Sequence, residues 1–339
     1  MRAVRVYTQV RIAMTPPMGD HRPAVRVALG LAIPGVALLS AGRPDLMIYA
    51  VFGAITGMYG RTESRQRRLA HQIQGAVILI LGVSIGVALG NSHIVQAVLV
   101  LAAVAFVAVG SVATDYLALK PEGPFYGLFA LGAVATVPAG RVSAGSAIFI
   151  CAATALLSIL LGVLDAPRGS RRQPRPPMPD RRDVLMHASR YAIAIAAAGT
   201  AGLSLGVDHA NWAMAAAAGP LAAADATGRV RRGIHRLGGT FVGLIVAAVL
   251  LIPQPSEYVL AMCVMALLFP TELFMTHHHA VALGFFTPLI MLMTDLAQPA
   301  APVELLAYRG IDTVIGVGAA VMVALIIRDR TTGPLPGQG

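Results

Sequence analysis

Two short segments place ionisable, hydroxyl and glycine residues inside otherwise apolar sequence. One reads RLGGTFVG, with Arg236, Gly239, Thr240 and Gly243; the other reads RGIDTVIG, with Arg309, Asp312, Thr313 and Gly316. A guanidinium is a planar fork suited to bidentate pairing with a carboxylate. At the mouth of a membrane helix the same side chain can instead snorkel to the interface. The Thr240 hydroxyl can return to a backbone carbonyl or be offered to a ligand. Gly239 and Gly243 are four apart, so they share a helix face and let a neighbouring backbone approach closely. Arg309 and Asp312 stand at i,i+3 and could neutralise each other inside a membrane. A charge at mid-bilayer costs from ~2.5 kcal/mol upward, so both should face the protein interior. A structural ion pair and a substrate or proton site are both open for them. Asp115, Asp225, Glu272 and Asp295 are further acids that could couple protons. The run His277–His278–His279 is unsuited to one metal ion, because adjacent helical residues point about 100° apart. Cys151 and Cys263 lie in apolar stretches without ligand or disulfide spacing and read as small packing residues. No Walker phosphate loop, cofactor fingerprint or Ser-His-Asp set is present, so no metal, cofactor or catalytic residue is expected.

The elements that must position these residues are membrane helices. The 339 residues are 56% hydrophobic and only 12% charged, against about 25% charged in a soluble domain. Mean hydropathy is +0.71. Apolar stretches long enough to cross a bilayer recur along the whole chain. The first residues, MRAVRVYTQVRIAMTPPMGD, lack the apolar core and cleavage site of a signal peptide.

The chain overlays itself at a constant offset of 164 residues. Arg26 falls on Arg190, Gly35 on Gly199, and Arg65, Arg67, Arg68, His71 and Gly75 on Arg229, Arg231, Arg232, His235 and Gly239. Pro124 meets Pro288, and Asp115 meets His279, which gives His279 a conceivable titrating role. The expected organisation is an N-terminal cytoplasmic segment 1–23, a first repeat 24–164, a Pro- and Arg-rich linker 165–187, a second repeat 188–327 and a tail 328–339. Each repeat divides into six apolar runs, at 24–41, 46–60, 73–90, 94–112, 114–137 and 142–164, then 188–205, 210–227, 236–252, 257–274, 277–297 and 303–327. The fold class expected is therefore an all-α integral membrane protein of about twelve transmembrane helices in two parallel six-helix repeats. The fourth and fifth runs of each half are the least regular: LALKPEGPFYG reads as a re-entrant break, and FPTELFMTHHHAV is polar for a short connection.

Net charge is +10, and every basic residue except Lys120 is Arg. With the N-terminus inside, all of them but Arg43, Arg141 and Arg309 fall on the cytoplasmic side. This positive-inside asymmetry predicts cytoplasmic N- and C-termini. It also makes RVRRGIHR, residues 229–236, first of all a topology anchor. A nucleic-acid partner is excluded, since no soluble basic module is present. Tyr126, Tyr191, Trp212 and Tyr258 fall near the ends of the runs, as interfacial anchors do.

The segment RRGIHRLGGTFVGLIVAAVLL resembles the R-x-x-G-T-x-x-G element of the fusaric acid resistance (FUSC) family. That family is related to aromatic acid exporters and, more distantly, to aluminium-activated malate transporters. YRGIDTVIGVGAAV resembles its late R-x-x-D-T-x-x-G element, and NWAMAAAAGPLAAADATG stands where the family has a Trp-led second helix. The first half is degenerate, reading Gln72, Gly75, Ala76 and Leu79 where the motif has Arg, Gly, Thr and Gly. The resemblance implies a transporter of the bacterial plasma (inner) membrane that exports small aromatic carboxylic acids or related toxic organic anions. Its partners would be the lipid bilayer and the anion; self-association into a homo-oligomer is compatible with the pattern. On that reading Arg236, Thr240, Arg309 and Asp312 bind substrate. Asp115, Asp225, Glu272, His279 and Asp295 are the candidates for proton coupling, and Gly239, Gly243 and Gly316 serve helix packing. A passive organic-anion channel and a non-transport envelope scaffold are the alternatives.

Overall fold

The computed structural model describes residues 21–61, 63–92, 96–165, 178–205, 210–223 and 226–327. The described residues are all helix and turn, with no strand among them. Among the described residues twelve α-helices follow one another: α1 His21–Ser40, α2 Met47–Ile55, α3 Arg65–Asn91, α4 Gln96–Leu117, α5 Phe125–Ala135, α6 Ala144–Leu164, α7 Arg181–Ser204, α8 Ala210–Leu221, α9 Ala226–Leu251, α10 Glu257–Met275, α11 His279–Ala297 and α12 Pro302–Ile326.

Eight of these are long and apolar enough to cross a membrane: α1, α3, α4, α6, α9, α10, α11 and α12. The protein is thus a multi-pass helical membrane protein, but the expectation of twelve full spans is not met by length and composition. The 11 residues of α5 and the 12 of α8 rise less than about 20 Å, short of the ~30 Å hydrocarbon core. With its flanking 3-10 turns α2 forms an apolar unit only from Pro44 to Met58. Helix α7 is 24 residues long, but it carries Arg181, Arg182, Asp183 and Arg190 and is rich in alanine rather than leucine.

The run expected at 114–137 is broken. Helix α4 continues to Leu117, and Ala118 and Gly123 then take positive φ of 48° and 80°. Pro121 and Pro124 lack the N–H that would continue a helix, so α5 starts afresh at Phe125. The chain likewise turns at His277 and His278 between α10 and α11.

The short helices form the interior. Every residue of α2 is buried, as are Tyr126 to Val134 of α5 and all of α8 except Gly219. Helix α11 is the most enclosed of the long ones. The remaining helices surround these four and turn Leu101, Val109, Phe149, Ile245, Val249 and Met322 outward, the apolar exterior that lipid requires.

Helix contacts come in corresponding pairs: α1 with α10 and α4 with α7, α3 with α5 and α9 with α11, α2 with α6 and α8 with α12, α5 with α8 and α2 with α11. Two buried arginines at corresponding positions also do similar work. Arg26 Nη1 reaches Asp165 Oδ2 at 3.1 Å, just past α6, and Arg190 Nε donates to the Ile327 carbonyl at 3.1 Å, just past α12. A guanidinium at a helix C-terminus satisfies its unpaired carbonyls and meets the negative end of its dipole. The duplicated basic positions are therefore partly internal ties and not only surface anchors.

The glycines of the two opening motifs are where backbones touch. A side chain on Gly239 would collide with the Ala280 carbonyl oxygen of α11, and one on Gly243 would lie 2.6 Å from Thr287 Cβ. Gly316 meets the Ala213 carbonyl of α8 in the same way. Gly238, the neighbour of Gly239, has open space around it. We expect Gly239→Ala to destabilise the protein by about 1–3 kcal/mol through overpacking. Gly238→Ala should leave stability unchanged or raise it by up to about 1 kcal/mol through helix propensity. Thermal unfolding of both variants in detergent checks the contrast.

Candidate functional site

A cavity of about 790 Å³ opens at the ends of the helices that carry most of the arginines. Its walls come from the end of α2, the break before α5, the inner ends of α8 and α9, and the α10–α11 turn. Arg61, Lys120, Arg231, Arg232 and Arg236 line it, against two acids, Glu122 and Glu272. His235, His277, His278 and His279 add titratable nitrogens, and Met58, Met275 and Leu283 add apolar wall.

The floor is aromatic. Phe125 and Phe129 stack at 6.0 Å between centroids, and Phe286 stands 6.3 Å from Tyr126 and 6.0 Å from Phe129. Phe52 closes the set edge-on to Phe129 at 5.7 Å. These rings bring α2, α5 and α11 together at the centre of the molecule. Phe125, Tyr126 and Phe286 also face the cavity.

Arg236 sits where cation and floor meet. It is 2% exposed, and its guanidinium carbon lies 5.0 Å from the centroid of Phe125. Its Nη1 occupies the space a side chain on Gly219 would fill, so the glycine in α8 is what admits it. Its Nε has no hydrogen-bond partner, and no carboxylate lies within 4.0 Å among the described residues. A desolvated cation–π contact is worth about 2 kcal/mol, well short of offsetting the several kcal/mol that burying an ion costs. The arrangement therefore favours an anion arriving from the cavity.

The other cavity cations are differently placed. Arg61 is ion-paired with Glu272 at 3.2 Å, with both side chains buried. Lys120 lies 3.6 Å from Glu63, which also faces Arg67 at 3.7 Å. The backbone N–H of Lys120 donates to His71 Nδ1 at 3.3 Å, pinning the break before α5 to α3.

The structure gathers only some of the sequence-predicted residues here. Arg236, Glu272 and His279 line the cavity, and His279 Nε2 is buried without a partner. Thr240 is buried one turn deeper on α9. Arg309 and Asp312 lie outside the cavity, buried between α12 and α8. They do not form the ion pair that their spacing allowed: no guanidinium nitrogen lies within 4.0 Å of the Asp312 carboxylate among the described residues, and both carboxylate oxygens of Asp312 lack a hydrogen-bond partner. Arg309 turns to the other helix and stacks over Trp212 at 4.7 Å. Asp115 is engaged by His187 Nδ1 at 2.9 Å, while His187 Nε2 meets the Leu221 carbonyl at 3.3 Å. Asp295 accepts the Ala300 N–H at the far end of α11. Asp225 lies outside the described residues.

Three of the four aromatics expected at the interface are interior instead. Tyr126, Tyr191 and Trp212 are 6%, 0% and 1% exposed, and only Tyr258, at 50%, fits that role. Sequence reasoning also missed Arg61 and the aromatic floor. The signal for the floor was PFYGLF, an aromatic cluster directly after a Pro/Gly break; the pairing of Arg61 with a residue 211 positions away left no local signal.

Residues 193–323 match the family described as fusaric acid resistance protein-like. This stretch is similar to that family. It runs from α7 to α12 and contains Trp212, Arg236, Arg309 and Asp312. The uncharacterized membrane protein YvaC of Bacillus subtilis (strain 168) is 29% identical over 112 residues, covering 33% of this chain and 18% of that relative. The chain thus matches under one-fifth of the length of that curated relative. No solved structure matches the chain.

Breaking the buried pair tests the frame of the cavity. Glu272→Gln removes the carboxylate that Arg61 Nη1 meets inside the protein and should destabilise the protein by about 3–5 kcal/mol. The double variant Arg61→Met, Glu272→Met removes both charges and should recover most of that loss in thermal unfolding.

Proposed function

We propose that this protein is a transporter exporting small organic anions, with aromatic carboxylic acids as the substrate class. The observation that carries the reading is Arg236: a buried guanidinium with no acidic partner among the described residues, stacked on Phe125 at the floor of a cationic, aromatic-lined cavity. A carboxylate would take the fork of Arg236, and an aromatic ring would lie among Phe125, Tyr126 and Phe286. Arg231 and Arg232 raise the local anion concentration at the mouth, within a Debye length of ~8 Å. The family match of the second half agrees with transport.

The architecture we assign is two parallel six-segment repeats, 24–164 and 188–327, joined by the 165–187 linker. The constant sequence offset, the paired helix contacts and the Arg26 and Arg190 ties support it. The arginine-rich cavity side is cytoplasmic, with both termini on that side, in a bacterial inner membrane; the positive-inside bias supports this. Proton antiport is the coupling we assign. Glu272 and His279 are the groups positioned for it, since both share the cavity with Arg236.

Reconstituted protein should move radiolabelled benzoate across proteoliposomes, faster when an imposed proton gradient opposes the benzoate flux. Arg236→Gln should lower kcat/KM by about ten- to a hundredfold, the loss of a charged hydrogen bond. Phe125→Ala should cost less and act mainly on aromatic substrates over aliphatic ones of equal charge. Flux that follows the benzoate gradient alone at every pH would replace antiport with passive conduction. Unchanged flux in Arg236→Gln would remove this cavity as the binding site.

A further inference from the structure

The cavity explains Arg236 but not Arg309, which is buried elsewhere. Arg309 is 2% exposed, its Nε and Nη1 have no hydrogen-bond partner, and its guanidinium lies 4.7 Å from the ring centroid of Trp212. Arg236 and Arg309 lean on the same helix. Arg236 fills the notch at Gly219 of α8, and Arg309 covers Trp212 of α8. Those positions are seven residues apart, which is two helical turns, one face and about 10 Å along the axis. Gly219 lies toward the cavity end of α8, and Trp212 toward the opposite end. Between them stand Ala215 and Ala216, fully buried and without a polar group.

We infer that Arg309 and Trp212 form a second, deeper anion station, to which a carboxylate passes from Arg236 along this face of α8. The inference rests on the anion-transport reading of the cavity. Cation and ring repeat the pairing of Arg236 with Phe125, so a flat aromatic acid meets the same surface twice. Asp312, one turn beyond Arg309 and also unpaired, makes the deep station weak for anions, because a bound carboxylate faces a like charge. A transit site must bind well enough to be entered and loosely enough to be left.

Trp212 is the only tryptophan in the sequence, so indole emission reports on this station and on nothing else. The experiment uses the full chain in lipid nanodiscs with benzoate as the probe, exciting the indole selectively. Total binding is followed in parallel with radiolabelled benzoate. Wild type should show a saturable change in emission with benzoate. Arg309→Gln should weaken the emission-reported affinity by about ten- to a hundredfold while radiolabel binding at the cavity persists. Arg309→Lys, which keeps the charge and loses the planar stack, should fall between them. Asp312→Asn, which removes the opposing charge, should tighten the emission-reported affinity severalfold, and it serves as the second test should Arg309→Gln not fold. Benzoate binding with no change in wild-type emission, an undiminished response in Arg309→Gln, or no tightening in Asp312→Asn overturns the deep station and leaves the cavity standing. Absence of radiolabel binding in wild type overturns both.

Discussion

A guanidinium with no carboxylate beside it among the described residues, held inside a membrane protein, is the constraint around which this structure is arranged. Arg236 is nearly inaccessible and meets no carboxylate among the described residues, yet it must be accommodated by something. Gly219 makes room for it in α8, Phe125 presents a π face, and the cavity leaves one direction open. Each condition requires a further feature. The notch requires α9 to approach α8 closely, and the π face requires α5 to begin late, after the break at 118–124. The position of Arg236 requires α9 to be locked on α11 by Gly239 and Gly243. The Arg61–Glu272 pair, on the wall of the same cavity, shows the other solution to a buried arginine, which is a partner of opposite charge. One arginine is compensated by the protein, while the other faces the cavity.

Much of the frame was legible in the sequence because it follows from local periodicity and composition. Apolar runs gave the helices, and the small-residue spacing of Gly239 and Gly243 gave their contact. The double proline near 121–124 gave the break. The interior was less legible because burial depends on which helices end up surrounded. Short runs such as FYGLFALGAVA and NWAMAAAAGPL read as spans by hydropathy alone; their shortness becomes informative only when neighbours are seen to enclose them. Tyr126, Tyr191 and Trp212 misled for the same reason. Near a run's end an aromatic suits the interface, but these runs end inside the protein. Arg309 and Asp312 share a helix face, and that spacing permits a pair without requiring one. The π face of Trp212, nearly a hundred residues away in sequence, competes for the guanidinium.

The two halves differ at the motif residues. At the positions corresponding to Arg236, Arg309, Asp312 and Trp212 the first half has Gln72, Gly145, Ile148 and Ile48. Gln72 is fully buried and packs its amide against Gly162. The first half therefore lends α2 and α5, with their rings, to a site whose arginine comes from the second half. Its own equivalents have become packing.

The alanine run of α8 has a mechanical meaning. Ala215 to Ala218 are buried and present only methyl groups, and Gly316 of α12 lies directly on this stretch at Ala213, Ala216 and Ala217. An alanine has no rotamer to change and a glycine has no side chain to clear. Helix α12, which carries Arg309, therefore rests on a smooth rail. Along that stretch the two helices meet without interlocking side chains, whereas leucines at the same positions would interlock and hold the helix in one register.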